Sequence, residues 1–210
     1  MVCIKLDSLS FAMNERKILI GTKNPHKRHK LSQIVVPFFS PLSGDDIAEP
    51  EENHNSFLDI AIQKANAYSQ QVDGWAISTD GGAIIPALSQ EEWQPLYTKR
   101  FAATDIERIN KLLSLMEGKT DRTIEWHEAI AVSYKGKIVF SATARAMDGV
   151  ISRAFNPDYY QEGIWLCSIT DFPSFGNRNY FELNEDEKTM TEDSWGKLRM
   201  KLHDFFTNYF

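Results

Sequence analysis

Disulfide chemistry has almost nothing to work with in this chain. Its 210 residues hold two cysteines, Cys3 and Cys167, too few for a disulfide framework and too far apart for a CxxC metal pair. A reducing cytoplasm is therefore the expected setting. Also missing is any run of roughly 18 uninterrupted apolar residues, so no membrane helix is expected, and the N-terminus lacks the basic start and apolar core of a signal peptide. Basic residues are in deficit: 23 Lys and Arg face 29 Asp and Glu, a formal net charge of -6. That argues against a general nucleic-acid binder, whose affinity comes from neutralising phosphates, so any anionic ligand must be gripped locally. Repeats, low-complexity tracts and clear linkers are lacking as well.

What remains is an ordinary globular mixture, 42% hydrophobic and 25% charged, which excludes disordered and fibrous classes. The length suits one domain with a sizeable core, or two small lobes. Ile18, Leu19 and Ile20, ending at Gly21, read as a buried strand, and the weakly alternating Met1 to Arg16 before it as an appendage. Leu31, Ile34 and Val35 then recur at helical spacing up to Pro37, making a strand, turn and helix unit. From Ser56, a cap with Asp59 three residues on, Phe57, Ile60, Ala61, Lys64, Ala65 and Tyr68 mark a helix. Trp75, Ala76 and Ile77 form a strand expected to stop in a sharp turn at Thr79-Asp80-Gly81-Gly82. Thr104 and Glu107 make a capping box for a helix ended by Gly118, the segment from Tyr134 to Lys137 turns a hairpin, and Trp195, Leu198, Leu202, Phe205 and Phe206 stripe a closing helix. Strands alternating with helices predict one α/β domain with a mixed sheet.

Chemistry concentrates near the first of these units. Lys27, Arg28, His29 and Lys30 follow Asn24 and Pro25 where a strand gives way to a helix, a place whose backbone N–H groups and dipole favour phosphate. A solvated basic helix face has the same composition. Glu49, Glu51 and Glu52 precede the Ser56 helix and Asp80 ends a strand; such hard oxygen ligands suit Mg2+ shared with substrate phosphates, although each alone also suits a helix start or a turn. His127, in Glu125-Trp126-His127-Glu128, fits a hydrogen-bonded strand residue better than a ligand, and Tyr159, Tyr160 and Trp165 fit packing better than a stacking platform.

In order, a strand followed by T-x-N-x-x-K, a glutamate four residues before a Ser-Phe helix start, a helix lysine, and a strand ending in an Asp-Gly turn resemble the inosine triphosphate pyrophosphatase family, the non-canonical purine NTP pyrophosphatases. The likeness runs from about Lys17 to the C-terminus and is strongest up to Arg100. It implies an elongated α/β fold with a central mixed β-sheet flanked by helices, two lobes with a cleft between them, and a homodimer. It also implies Mg2+-dependent hydrolysis of a nucleoside triphosphate to a monophosphate and pyrophosphate. By the same resemblance Thr22, Asn24 and Lys27 match the phosphate loop, Glu52 and Asp80 the metal and general-base carboxylates, Lys64 the helix lysine, and Arg100 the arginine of an S-A-R segment.

Departures cluster elsewhere. The family's A-D-D-S-G reads Ser78-Thr79-Asp80-Gly81-Gly82, so one aspartate is replaced by Thr79. The family's F-G-Y-D-P corresponds to Phe175-Gly176-Asn177-Arg178-Asn179, its later lysine to Lys188, and its S-H-R to Glu192-Asp193-Ser194. The resemblance thus implies a phosphate half largely kept and a base-reading half rewritten, with Arg178 and Asp193 as an exchanged-charge pair. A catalytically inactive nucleotide-binding homologue is the alternative reading.

Overall fold

A computed structural model describes residues 16–50 and 54–210. The expectation for the N-terminal appendage falls, apart from Arg16, outside these residues. The chain forms two compact units: one from the described parts of Met1–Asp80 with Glu128–Ala144 and Trp195–Phe210, the other from Gly81–His127 and Arg145–Ser194. The fold class is α/β, with a central mixed β-sheet flanked by helices.

In the first unit, β1 (Lys17–Ile20) pairs in parallel with β2 (Ser40–Ser43) on one side and β3 (Trp75–Ile84) on the other. Between β1 and β2 runs helix α1 (Pro25–Val35), and before β3 runs α2 (Phe57–Gln71). This is the connection parallel strands require, because their ends lie too far apart for a tight turn. Ser56 caps α2 by accepting from Asp59 N, as expected. β4 (Thr123–Tyr134) neighbours β3 and is followed by β5 (Lys137–Arg145). Lys135 and Gly136 join them with φ of 49° and 77°, the left-handed pair that matches the twist of two-residue hairpins. Ile18, Ile20 and Ile77 pack with Leu31, Ile34 and Val35 of α1, and with Leu198, Leu202 and Phe206 of the closing helix α5 (Asp193–Tyr209).

The second unit has its own core, in which Ile109, Leu112 and Met116 meet Ala83, Trp93, Ile124, Ile151, Trp165 and Ile169. Its helix α3 (Asp105–Leu115) carries the expected Thr104–Glu107 capping box, and Gly118, at φ +71°, follows its end. β6 (Gly149–Ile151), β7 (Thr170–Phe172) and β8 (Arg178–Asn179) extend antiparallel from the N-terminal part of β4. A short helix, α4 (Glu185–Thr191), precedes α5.

One expectation fails in an informative way. The Asp80-Gly81-Gly82 segment is not a turn, because β3 continues straight through it to Ile84. Neither glycine takes a positive φ. Glycine permits a sharp turn without requiring one, and although the pairing of β3 with β1 ends at Ile77, β3 has β4 as its other neighbour and can gain ladder hydrogen bonds from it by staying extended. Asp80 therefore sits within a strand, not at its end.

Candidate active site

The site is built outward from Gly21. A Cβ placed there would run into Ser78 Oγ and the Tyr68 ring, with Tyr68 Cε2 at 2.9 Å. Only glycine lets the chain leave β1 this close to β3. Gly21 N donates to the Ile77 carbonyl at 2.8 Å, and Ser78 Oγ donates to the Gly21 carbonyl at 2.9 Å. These bonds fix the following loop against the residues that lead to Asp80.

Along that loop Thr22 is buried and its Oγ1 accepts from Asn24 N at 3.2 Å, while Asn24 Oδ1 accepts from Lys27 N at 3.1 Å and caps α1. Pro25 occupies the first helical position, where a missing N–H costs nothing. Arg28 is spent on structure, pairing with Asp45 at 2.6 Å and reaching the Thr22 carbonyl. Its guanidinium and the Ser43 hydroxyl hold the Asp45 carboxyl below the ordinary carboxylate range, the hydroxyl contributing most.

The first turn of α1 thereby aims Lys27 at the sheet. Its Nζ lies 3.9 Å from Asp80 Oδ1 and 3.3 Å from Glu128 Oε1, with 17% and 11% of the two acidic side chains exposed. Two carboxylates on neighbouring strands share one ammonium, partly sheltered from water, where charges interact more strongly than in bulk. Lys64, on α2, is 6% exposed and its Nζ lies 3.7 Å from Glu49 Oε1. Glu52 lies outside the described residues. Among the described residues no group of three or more His, Cys, Asp or Glu side chains converges as a metal cage.

The structure brings Lys27 to Asp80 and adds Glu128, which sequence reasoning passed over while weighing His127 beside it. A signal was present: an acid directly preceding the buried run Ala129 to Val132 of β4 mirrors Asp80 following the buried run of β3. His127 pairs instead with Glu125, at 3.2 Å.

The expected base-reading residues belong to the second unit. Phe175, Gly176 and Asn177 form the turn between β7 and β8, the latter two at φ of 72° and 59°. Arg178 clamps that turn, donating to the Phe175 carbonyl at 3.0 Å and pairing with Glu187. The pairing raises Arg178 and lowers Glu187 relative to their ordinary pKa values, chiefly through the hydrogen bond between them. Lys188 pairs with Glu185 at 3.1 Å, and Asp193 opens α5, where a negative charge suits the helix dipole. Arg100 lies over the Tyr97 ring at 4.5 Å. Desolvation pushes the Cys167 thiol up to about 12, far from a nucleophile's range. No helix among the described residues is long and apolar enough to cross a membrane.

An α/β chain whose helix-start lysine stands between two strand carboxylates has the cation and the acids that phosphate chemistry combines. Its sequence places it more narrowly: residues 18–192 match the model of the Ham1 family, and the chain belongs to that family. A dITP/XTP pyrophosphatase of Synechocystis sp. is 29% identical over 180 residues, 83% of this chain and 82% of its own. One from Methylacidiphilum infernorum is 27% identical over 205 residues, 91% and 94% of the two chains. Among solved structures, a HAM1 protein from Coxiella burnetii superposes with a TM-score of 0.76 at 23% identity, covering 90% of this chain and 99% of that one.

Proposed function

We propose that this chain is a Mg2+-dependent nucleoside triphosphate diphosphatase that converts a non-canonical purine NTP to the monophosphate and pyrophosphate. The observation that carries the reading is Lys27 Nζ held between Asp80 and Glu128 at the head of α1. Its support is the family membership and the names of the dITP/XTP pyrophosphatases it resembles. In this reading Thr22 and Asn24 shape the phosphate loop, and Lys27 and Lys64 hold the triphosphate chain. Asp80 takes a proton from the attacking water as its oxygen joins phosphorus. The bond between the α and β phosphates breaks, and the leaving oxygen keeps the electron pair beside the two cations.

The donor chemistry fits magnesium, which takes one or two protein carboxylates together with substrate phosphates and keeps several waters. Asp80 and Glu52 would hold it, and when bound it would neutralise charge on the phosphates. Arg100, Phe175, Arg178, Lys188 and Asp193 are the candidates for contacts beyond the phosphates, and a homodimer in the cytoplasm belongs to the same reading. The test is pyrophosphate release with Mg2+ across ITP, XTP, GTP, ATP and pyrimidine triphosphates, with preference for ITP or XTP expected. Binding of these nucleotides without release from any of them would replace the enzyme by a nucleotide-binding homologue.

A further inference from the structure

Glu128 is a carboxylate that neither the phosphate loop nor the general-base role accounts for, yet it is the more enclosed of the two acids that Lys27 touches, and the closer one. Leaving a carboxylate in so sheltered a place is costly unless a cation and hydrogen bonds meet it. Both are present. Lys27 Nζ stands 3.3 Å from Oε1, and the hydroxyl of Thr79, 1% exposed on β3, meets the same oxygen while also lying 2.7 Å from the Ala129 carbonyl. Thr79 immediately precedes Asp80, so one side chain of β4 is tied both to the strand that bears Asp80 and to the lysine facing it. Lys27 hangs on a flexible four-carbon stem whose rotamer freedom would otherwise spread its ammonium over several positions.

We propose that Glu128 is a positioning residue of the reaction centre: it holds the Lys27 ammonium at the face of Asp80, so that a polyphosphate gripped by Lys27 is presented to the carboxylate that handles water. The inference rests on the diphosphatase reading and deepens it. Because Glu128 attracts Lys27 and repels phosphate, its role separates binding from turnover. Without its charge, Lys27 grips a triphosphate no less tightly, but without a fixed position relative to Asp80.

Four proteins test this: wild type, Glu128→Gln, Thr79→Asp and the double variant Thr79→Asp/Glu128→Gln. Pyrophosphate release from ITP with Mg2+ gives kcat and KM, and calorimetry with the non-hydrolysable α,β-methylene analogue of ITP measures binding without turnover. Glu128→Gln should lower kcat by about tenfold or more, as losses of supporting hydrogen-bond partners do, while KM and the analogue's Kd stay within about twofold or fall, in line with loss of an interaction made in the transition state. An aspartate at 79 reaches the place where the Thr79 hydroxyl meets Glu128. The double variant should therefore recover most of the lost kcat, whereas Thr79→Asp alone, with two acids crowded together, should melt at a lower temperature than wild type. A kcat for Glu128→Gln within about twofold of wild type overturns the proposal. So does a loss of turnover matched by an equal loss of analogue affinity, or one that the double variant leaves unrepaired. A wild-type chain that releases no pyrophosphate from any triphosphate removes the diphosphatase reading itself, and this inference with it.

Discussion

Replacing Gly21 and Gly196 by alanine makes one chemical change at two places and should give opposite signs. At Gly21 the new methyl has no room. Ser78 is 0% exposed and Tyr68 1% exposed, and both would be struck by the Cβ, so relief must come from moving buried groups or the backbone. Overpacking of this kind costs about 1 to 3 kcal/mol, and the upper end applies where neither neighbour can yield. A gain of about 0.4 to 1 kcal/mol from restricting the unfolded chain offsets part of it. The net of about 2 kcal/mol lowers Tm by about 4 to 8 °C for a chain of this length. Gly196 lies inside α5, and a methyl added there would meet nothing within 4 Å, so alanine removes a helix penalty of about 0.5 to 1 kcal/mol. Its Tm should rise by about 1 to 4 °C. Thermal unfolding followed by circular dichroism reads both. A Gly21→Ala protein melting within about 1 °C of wild type, or two variants shifted in the same direction, would refute the claim that the close approach of β1 to β3 sets the loop carrying Lys27.

Asp80→Asn, nearly isosteric but unable to accept the proton, should reduce turnover by about 10²- to 10⁴-fold with Tm close to wild type; wild-type turnover would remove Asp80 from the mechanism. Lys27→Ala and Lys64→Ala should each cost triphosphate binding about 1.5 to 3 kcal/mol and monophosphate binding less, by calorimetry; equal losses would place the lysines away from the phosphate chain. The Arg178–Glu187 pair gives an acid-dependent test. The folded-state pKa of Glu187 is depressed, chiefly by Arg178, so its contribution is present above the ordinary glutamate value and is lost as pH falls through the folded value. Arg178→Ala should accordingly unfold at lower urea than wild type at pH 7, with the gap closing as the solution is taken below about pH 4; a gap that stays constant on acidification contradicts the pairing. Arg178 is also a candidate for contact beyond the phosphates, so the same variant should change the ranking of NTPs in kcat/KM; an unchanged ranking would confine its guanidinium to the Phe175 carbonyl and Glu187.

Local sequence was enough to determine the pieces whose causes are local. Apolar spacing gave α1, α2, α3 and α5, short-range side-chain capping placed the starts of α2 and α3, and the tight Lys135-Gly136 hairpin followed from residues that tolerate left-handed backbone. The turn from β1 into α1 was legible for the same reason: Asn24 N donates to Thr22 Oγ1 and Lys27 N to Asn24 Oδ1, bonds between residues two and three apart. Three matters were decided only in three dimensions. β2 (Ser-Pro-Leu-Ser) has no strand pattern of its own and exists because β1 offers it a parallel partner. Asp80-Gly81-Gly82 stays extended in a strand that lies beside β4 and runs past the end of its pairing with β1 at Ile77, a condition invisible to turn propensities, which record only what glycine permits. Glu128 joins Asp80 at a distance of 48 residues in sequence only because β3 and β4 lie side by side and α1 sends Lys27 between them. An ion pair needs its charges within about 4 Å of each other, so it depends on which strands become neighbours, and no spacing along the chain encodes that.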